Sequence, residues 1–120
     1  MTYRECAALL NGRPRKKLCN HTYLEAMGND CFAIRYYSSY IVIIRPQLVY
    51  QINSYGFRTK TTLSRIQKYS PARIVQRKRV WYLVRSDGSE VEFVDNMLVD
   101  SIGDFTSEDI RKQMMKGALK

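Results

Sequence analysis

Acidic residues are missing from the middle of this chain: no aspartate or glutamate occurs between Cys31 and Ser86. Eleven basic groups stand alone there, whereas folded domains normally intersperse both signs on their surfaces. Histidine is nearly absent too, so a general-base scheme needing an imidazole depends on His21 alone. Cysteine is limited to Cys6, Cys19 and Cys31, an odd and scattered set that makes no disulfide framework. Small, reduced, mostly buried thiols are expected. Cys19-x-His21 with Cys31 lacks a fourth soft ligand and a paired C-x-x-C knuckle, so neither a metal nor a cofactor is expected. No apolar run approaches the roughly 20 residues that span a bilayer; the longest is Tyr40-Ile41-Val42-Ile43-Ile44. The start, M-T-Y-R-E-C-A-A-L-L, is too polar for a signal peptide. A cytoplasmic protein without a membrane partner is expected.

What is there fits one domain over residues 1–120, with 45% apolar residues to build a hydrophobic core. Charge is unevenly placed. Residues 1–30 carry five basic and three acidic groups, and residues 87–120 carry four basic and eight acidic. A basic middle ahead of an acidic end reads as a molecule with one phosphate-seeking face. The alternative is that the two regions neutralise each other within the fold or between subunits.

Along the chain, Thr2 with Glu5 forms a capping-box signature, and Tyr3, Ala7 and Leu10 share a helical face. A helix over residues 2–10 is expected, stopped by Asn11-Gly12. Residues 11–17 then read as a basic arm stiffened by Pro14, carrying Arg13, Arg15, Lys16 and Lys17. Such an arm can follow a nucleic-acid backbone or enter a minor groove; a solvated loop is the plainer reading. Period-two patterning predicts strands at residues 22–24, 31–37, 40–44 and 48–53, with residues 40–44 the buried central strand. Phe32, Ile34 and Tyr36 fall on one face, with Ala33, Arg35 and Tyr37 on the other. Short connections make these strands antiparallel neighbours. Gly56 makes a turn, and Thr59, Thr61 and Thr62 compete to cap a helix over residues 62–69 that Pro71 ends. Residues 73–78 and 80–84 read as further strands. Ser86-Asp87-Gly88-Ser89 closes a hairpin onto residues 90–94. Residues 97–99 form a short strand or a tucked segment, and Thr106 opens a C-terminal helix to about residue 116 within an acidic segment, 103–120. The expected fold class is α+β: a mainly antiparallel sheet of six to seven short strands, a mid-chain helix and a helix at each terminus.

The strongest candidate site is Tyr55-Gly56-Phe57-Arg58-Thr59-Lys60-Thr61-Thr62 at the start of a helix. Unpaired N–H groups at a helix N-terminus attract anions, threonine hydroxyls add donors, and Arg58 can fork onto a phosphate. The Walker spacing G-x-x-x-x-G-K-[ST] is absent, so nucleotide hydrolysis has no support. A capped helix with exposed basic residues, Arg65 and Lys68 among them, is the plainer alternative. The second candidate is Gln76-Arg77-Lys78-Arg79 ahead of Trp81-Tyr82. Strand alternation sets Arg77 and Arg79 on one face and Lys78 on the other. Arginine interleaved with aromatics is how single strands are stacked and neutralised, and Tyr36, Tyr37 and Tyr55 add such surfaces. Most strand aromatics are core, and Trp81 is read as packed. RRM, KH and zinc-finger signatures are absent. Glu90 and Glu92 read as solubilising edge residues. No Ser-His-Asp or Cys-His arrangement is legible, so no enzyme is expected.

Several segments together resemble a family of small bacteriophage and prophage proteins. They are Arg15-Lys16-Lys17-Leu18, Asn20-His21-Thr22-Tyr23-Leu24 and Ala33-Ile34-Arg35. Tyr55-Gly56-Phe57-Arg58-Thr59 with Thr61-Thr62 and Arg65-Ile66, and Val80-Trp81-Tyr82, complete the set. The likeness covers residues 11–100. It departs at His21, where the family has asparagine, at Tyr36-Tyr37, where it has Leu-His, and at Tyr55-Gly56-Phe57, where it has Gly-Gly-Trp. The resemblance implies action inside an infected or lysogenic bacterial host and supplies no activity. The leading expectation is a non-enzymatic nucleic-acid-binding protein. Its backbone contacts are Arg13, Arg15, Lys16, Lys17, Arg58, Lys60, Thr61, Thr62, Arg65, Lys68, Arg77, Lys78 and Arg79, with Tyr55 and Phe57 stacking. Two alternatives stand beside it. One is an anti-defence or host-takeover protein that docks on an acidic or nucleic-acid-binding host protein, or sequesters a nucleotide signal as a homo-oligomer. The other is a minor virion or assembly component.

Overall fold

The computed structural model describes residues 1–28, 30–46 and 49–104. Two helices, α1 (Tyr3–Leu10) and α2 (Lys60–Tyr69), accompany nine strands. The strands are β1 (Arg15–Cys19), β2 (Thr22–Met27), β3 (Cys31–Tyr36), β4 (Ser39–Arg45), β5 (Val49–Ile52), β6 (Ile74–Arg77), β7 (Val80–Val84), β8 (Glu90–Glu92) and β9 (Met97–Val99). They form a six-stranded sheet in the order β1-β2-β3-β4-β5-β9 and a three-stranded sheet β6-β7-β8. Every pairing is antiparallel. The fold is therefore α+β as expected, but the described residues form nine strands in two sheets rather than six or seven in one. The expected C-terminal helix and Leu48 lie outside the described residues.

The helices form for the reasons the sequence gives. Thr2 Oγ1 accepts from the Glu5 N–H (3.1 Å) while Glu5 Oε1 accepts from the Thr2 N–H (3.3 Å), closing the capping box. At the mid-chain helix Thr59 wins the competition to cap: its Oγ1 accepts from the Thr62 N–H at 3.1 Å. The helix consequently begins two residues earlier than expected and stops at Ser70, ahead of Pro71.

Both helices lie on one face of the larger sheet. That face is continuous across the strand register: Leu24, Ile34, Val42 and Ile52 follow one another, as do Phe32, Ile44, Tyr50 and Val99. Cys6, Leu10, Ile66 and Tyr69 pack onto it from the helices, and Trp81, Leu83 and Phe93 of the smaller sheet region join the same core. Fully burying a large apolar side chain contributes about 1.5–3 kcal/mol, so this shared core is what binds the two sheets into one unit. Gly103 locks the far end. With φ at +85° it lies so close to Pro71 that an added Cβ would sit 2.3 Å from the Pro71 carbonyl oxygen.

Two expected elements are corrected. The second half of the basic arm, residues 15–17, belongs to β1, the edge strand of the larger sheet, with Arg15 opposite Glu25 and Lys16 opposite Leu24. Cationic side chains on an edge strand block further pairing, which is why a charged run can be a strand here. Lys78 and Arg79 are not strand residues with alternating faces. They are the two central residues of a β6–β7 hairpin, with φ of 50° and 69° and Arg77 opposite Val80. Positive φ at both positions is the type I′ geometry that asparagine and glycine normally supply.

Candidate nucleic-acid interface

Three connections meet at one end of the larger sheet: the β1–β2 turn, the β3–β4 turn and residues 53–59 leading into α2. The Tyr37 N–H donates to the His21 carbonyl (2.8 Å), and the two rings stack with centroids 4.3 Å apart. Tyr36 meets Tyr37 edge-on at 4.7 Å. Between these turns and the start of α2 lies a pocket of about 330 Å³ lined by Tyr36, Tyr37, Ser38, Ser39, Ile41, Ser54, Phe57, Thr59 and Thr62. The glycine turn and helix start singled out in the sequence therefore form one wall, and the Tyr36–Ser39 hairpin forms the other.

Residues 53–59 are held tightly. The Tyr55 N–H donates to Asn53 Oδ1 (2.6 Å), and the Phe57 N–H donates to the Ser54 carbonyl (2.9 Å). Tyr55 and Gly56 both have positive φ, 53° and 78°, so this too is a type I′ turn. Buried Ser54 donates its hydroxyl to Asp95 Oδ1 (2.7 Å), and its Oγ accepts from Arg58 Nε (2.8 Å) and from the Gly56 N–H (3.3 Å). The turn throws Tyr55 and Phe57 outward at 47% and 62% exposure, beside Tyr37 at 55%. His21, Tyr37 and Tyr55 all carry left-handed backbone, with φ of 56°, 54° and 53°. A left-handed residue other than glycine costs about 1 kcal/mol or more, and the same backbone recurs in other turns of the fold at Asn11, Asp30, Lys78, Arg79 and Asn96.

The basic residues divide into two sets. Arg58 turns inward: its guanidinium lies 5.0 Å and 4.9 Å from the Trp81 and Phe93 ring centroids and 3.6 Å from Asp95. The fork expected to grip phosphate is closed on Ser54 and Asp95 instead. Arg77 pairs with Glu90, which holds that carboxylate below its usual range. Arg13 caps α1, donating from Nε to the Leu10 carbonyl (3.0 Å) and from its terminal nitrogen to that of Leu9 (3.1 Å). The other set makes no ion pair among the described residues: Arg15, Lys16, Lys17, Lys60, Arg65, Lys68, Lys78 and Arg79. Arg65 donates from Nε to Thr22 Oγ1 (3.1 Å) with its guanidinium 5.7 Å from the ring centre of Tyr36, at the pocket wall. Lys60 follows the cap residue Thr59. Arg65 and Lys68 also act electrostatically on the Cys19 thiol at the end of β1. That thiol is held below its usual range chiefly by hydrogen bonds to Tyr69 and Thr22, with the two cations adding to the effect.

The expected site residues thus come together only in part. Phe57 and buried Thr62 line the pocket, Arg65 lies over its Tyr36 wall, and Tyr55, Lys60 and Thr61 are exposed next to lining residues in the chain without lining it themselves. Lys78 and Arg79 project from a separate hairpin. Trp81 is fully buried, as its strand position implied. Sequence reasoning missed Ser38, Ser39, Ser54 and Ile41, along with Asp95 as the anchor of Arg58. The Asn53-Ser54 pair ahead of Tyr55-Gly56 carried a usable signal, since Asn and Ser fold back on their own backbone in turns. No group of three or more His, Cys, Asp or Glu side chains suited to a metal occurs among the described residues, and no described helix is long and apolar enough to cross a membrane. Set against family models, curated proteins and solved structures, the chain has no match.

Proposed function

We propose that this is a non-enzymatic nucleic-acid-binding protein that grips single strands by backbone phosphates and stacks their bases on exposed aromatics. The observation carrying this reading is the exposure of Tyr37, Tyr55 and Phe57 on tightly bonded turns, with Tyr37 and Phe57 lining the pocket and Arg65 over its Tyr36 wall. Leaving three large aromatics in water while spending backbone strain to hold them there offsets stability, and a ring-stacking partner supplies the missing contact. Lysines and arginines without ion-pair partners supply the phosphate contacts: Lys60, Arg65 and Lys68 on α2, Arg15, Lys16 and Lys17 on β1, and Lys78 and Arg79 at the hairpin tip. Arg13, Arg58 and Arg77 hold the fold together in this reading. A duplex offers no free base face, so single strands are the preferred form. Resemblance to phage and prophage proteins supports a setting inside a bacterial host.

Fluorescence anisotropy with single- and double-stranded DNA and RNA at two salt concentrations tests the reading. Micromolar or tighter single-strand binding that weakens steeply with salt is expected. Absence of binding at low salt contradicts it.

A further inference from the structure

We infer that the pocket between the Tyr36–Ser39 hairpin and the start of α2 receives one unstacked nucleobase, with its phosphate held at the rim by Lys60 and Arg65. The inference rests on the nucleic-acid reading and names the part of the ligand that enters the protein. Size comes first: at about 330 Å³ the pocket is at the small end of the range for small-molecule sites, about 300–1,000 Å³. One ring system with its sugar fits such a volume, and a base pair does not.

The walls carry the chemistry of a base. Tyr36, Tyr37 and Phe57 offer aromatic surfaces, and buried Ile41 adds an apolar contact. The polar groups sort into used and available. Ser54 Oγ is fully engaged by Asp95, Arg58 and Gly56, and the Thr59 and Thr62 hydroxyls bond each other at 3.0 Å. Ser38, Ser39 and the Tyr36 and Tyr37 phenols make no side-chain hydrogen bond to any described residue, so their hydroxyls are available to meet a base edge. A hydroxyl both donates and accepts, which gives contact without strong choice among the four bases.

Arginines lie against the Tyr36–Tyr37 wall. Arg65 lies over Tyr36, and Arg35 donates to the Tyr37 carbonyl at 2.6 Å. Two acids lie close by and both are engaged: Glu25 by Arg35 and the Tyr40 hydroxyl (3.1 Å), and Asp95 by Ser54 and Arg58. The same chemistry could arrive as a nucleotide within a strand or as a free mononucleotide, so the test separates the two.

The experiment compares three probes by anisotropy and calorimetry: a short oligothymidylate, an abasic strand of equal length and thymidine monophosphate. Each is measured against the wild type, Ser38→Trp, which fills the pocket from an exposed turn position, and Phe57→Ala. Circular dichroism confirms that each variant is folded. Oligothymidylate is expected to bind at least about tenfold tighter than the abasic strand. Both variants are expected to remove that difference while leaving the salt dependence intact. Saturable monophosphate binding that Ser38→Trp abolishes supports a free nucleotide as occupant; strand preference without monophosphate binding supports a base within a strand. Equal affinity for both strands with no monophosphate binding overturns the inference and leaves backbone binding standing. Loss of binding to all three probes overturns both.

Discussion

Residues 53–59 send the same chemistry in two directions. Inward, Arg58 lies over Trp81 and Phe93 and is claimed by Ser54 and Asp95. Outward, Phe57 joins Tyr37 in lining an open pocket, with Tyr55 exposed nearby in the chain and Arg65 over Tyr36. Arginine beside aromatics is therefore not in itself a binding face. Both guanidinium groups bond a buried hydroxyl, Ser54 for Arg58 and Thr22 for Arg65; what separates the two regions is the acid, Asp95, that also holds Arg58. The inner cluster welds the smaller sheet to the loop; the outer one keeps rings and cations accessible.

Substitutions that treat the two regions alike should have opposite effects. Trp81→Ala should cost about 3–5 kcal/mol of stability, because a fully buried indole leaves a cavity under Arg58. Phe57→Ala should change stability by no more than about 0.5 kcal/mol while weakening single-strand binding. Urea unfolding alongside anisotropy checks the pair; matching stability losses would erase the distinction. Asp95→Ala should cost about 1–3 kcal/mol, since the Ser54 N–H and the Arg58 guanidinium lose their acceptor. Its urea midpoint should fall well below that of Lys60→Ala.

The hairpin tip sharpens the comparison from the other side. Replacing Lys78-Arg79 with Asn-Gly should stabilise the protein by about 1 kcal/mol, because both positions have positive φ. The same change removes two cations, so the slope of log affinity against log salt should shrink by about 1.4 if both meet phosphate. A stabilised variant with an unchanged slope would make the tip purely structural.

A smaller effect concerns alkaline stability. Burial pushes the Cys6 thiol up to about 11, and burial with the Cys19 hydrogen bond pushes the Tyr69 phenol up to about 12. Between their ordinary values of 9.0 and 10.0 and these raised ones, the unfolded chain loses protons that the folded chain keeps. Stability should therefore decline from about pH 9 upward. Cys6→Ala should flatten the curve of melting temperature between pH 9 and 11, and an unaltered curve would remove Cys6 as a cause.

Much of this was legible where local chemistry decides the outcome. The T-x-x-E box, a threonine cap for the mid-chain helix, the stop at Pro71, the central run at residues 40–44 and the Ser86–Ser89 turn are all short-range signals, though the sequence alone does not choose which threonine caps. β1 was hidden because its charged residues argue for a loop, and only its pairing with β2 makes an edge strand of them. The Lys78-Arg79 turn was hidden because neither residue favours left-handed backbone. Nor could the direction of Arg58 be read, since its acceptor Asp95 lies far along the chain, beyond the acid-free stretch. Tyr55 and Phe57, expected as stacking groups flanking the Gly56 turn, are both exposed. The opposite wall, Ser38 and Ser39, depends on how two hairpins meet and leaves no local mark.

The most direct test of the central claim is single-strand affinity of a Tyr55→Ala, Phe57→Ala double variant compared with Arg58→Ala, each measured together with its unfolding free energy. The account predicts that the aromatic variant stays as stable as the wild type and binds at least about tenfold more weakly, while Arg58→Ala is destabilised. Unchanged binding by the stable aromatic variant would contradict it.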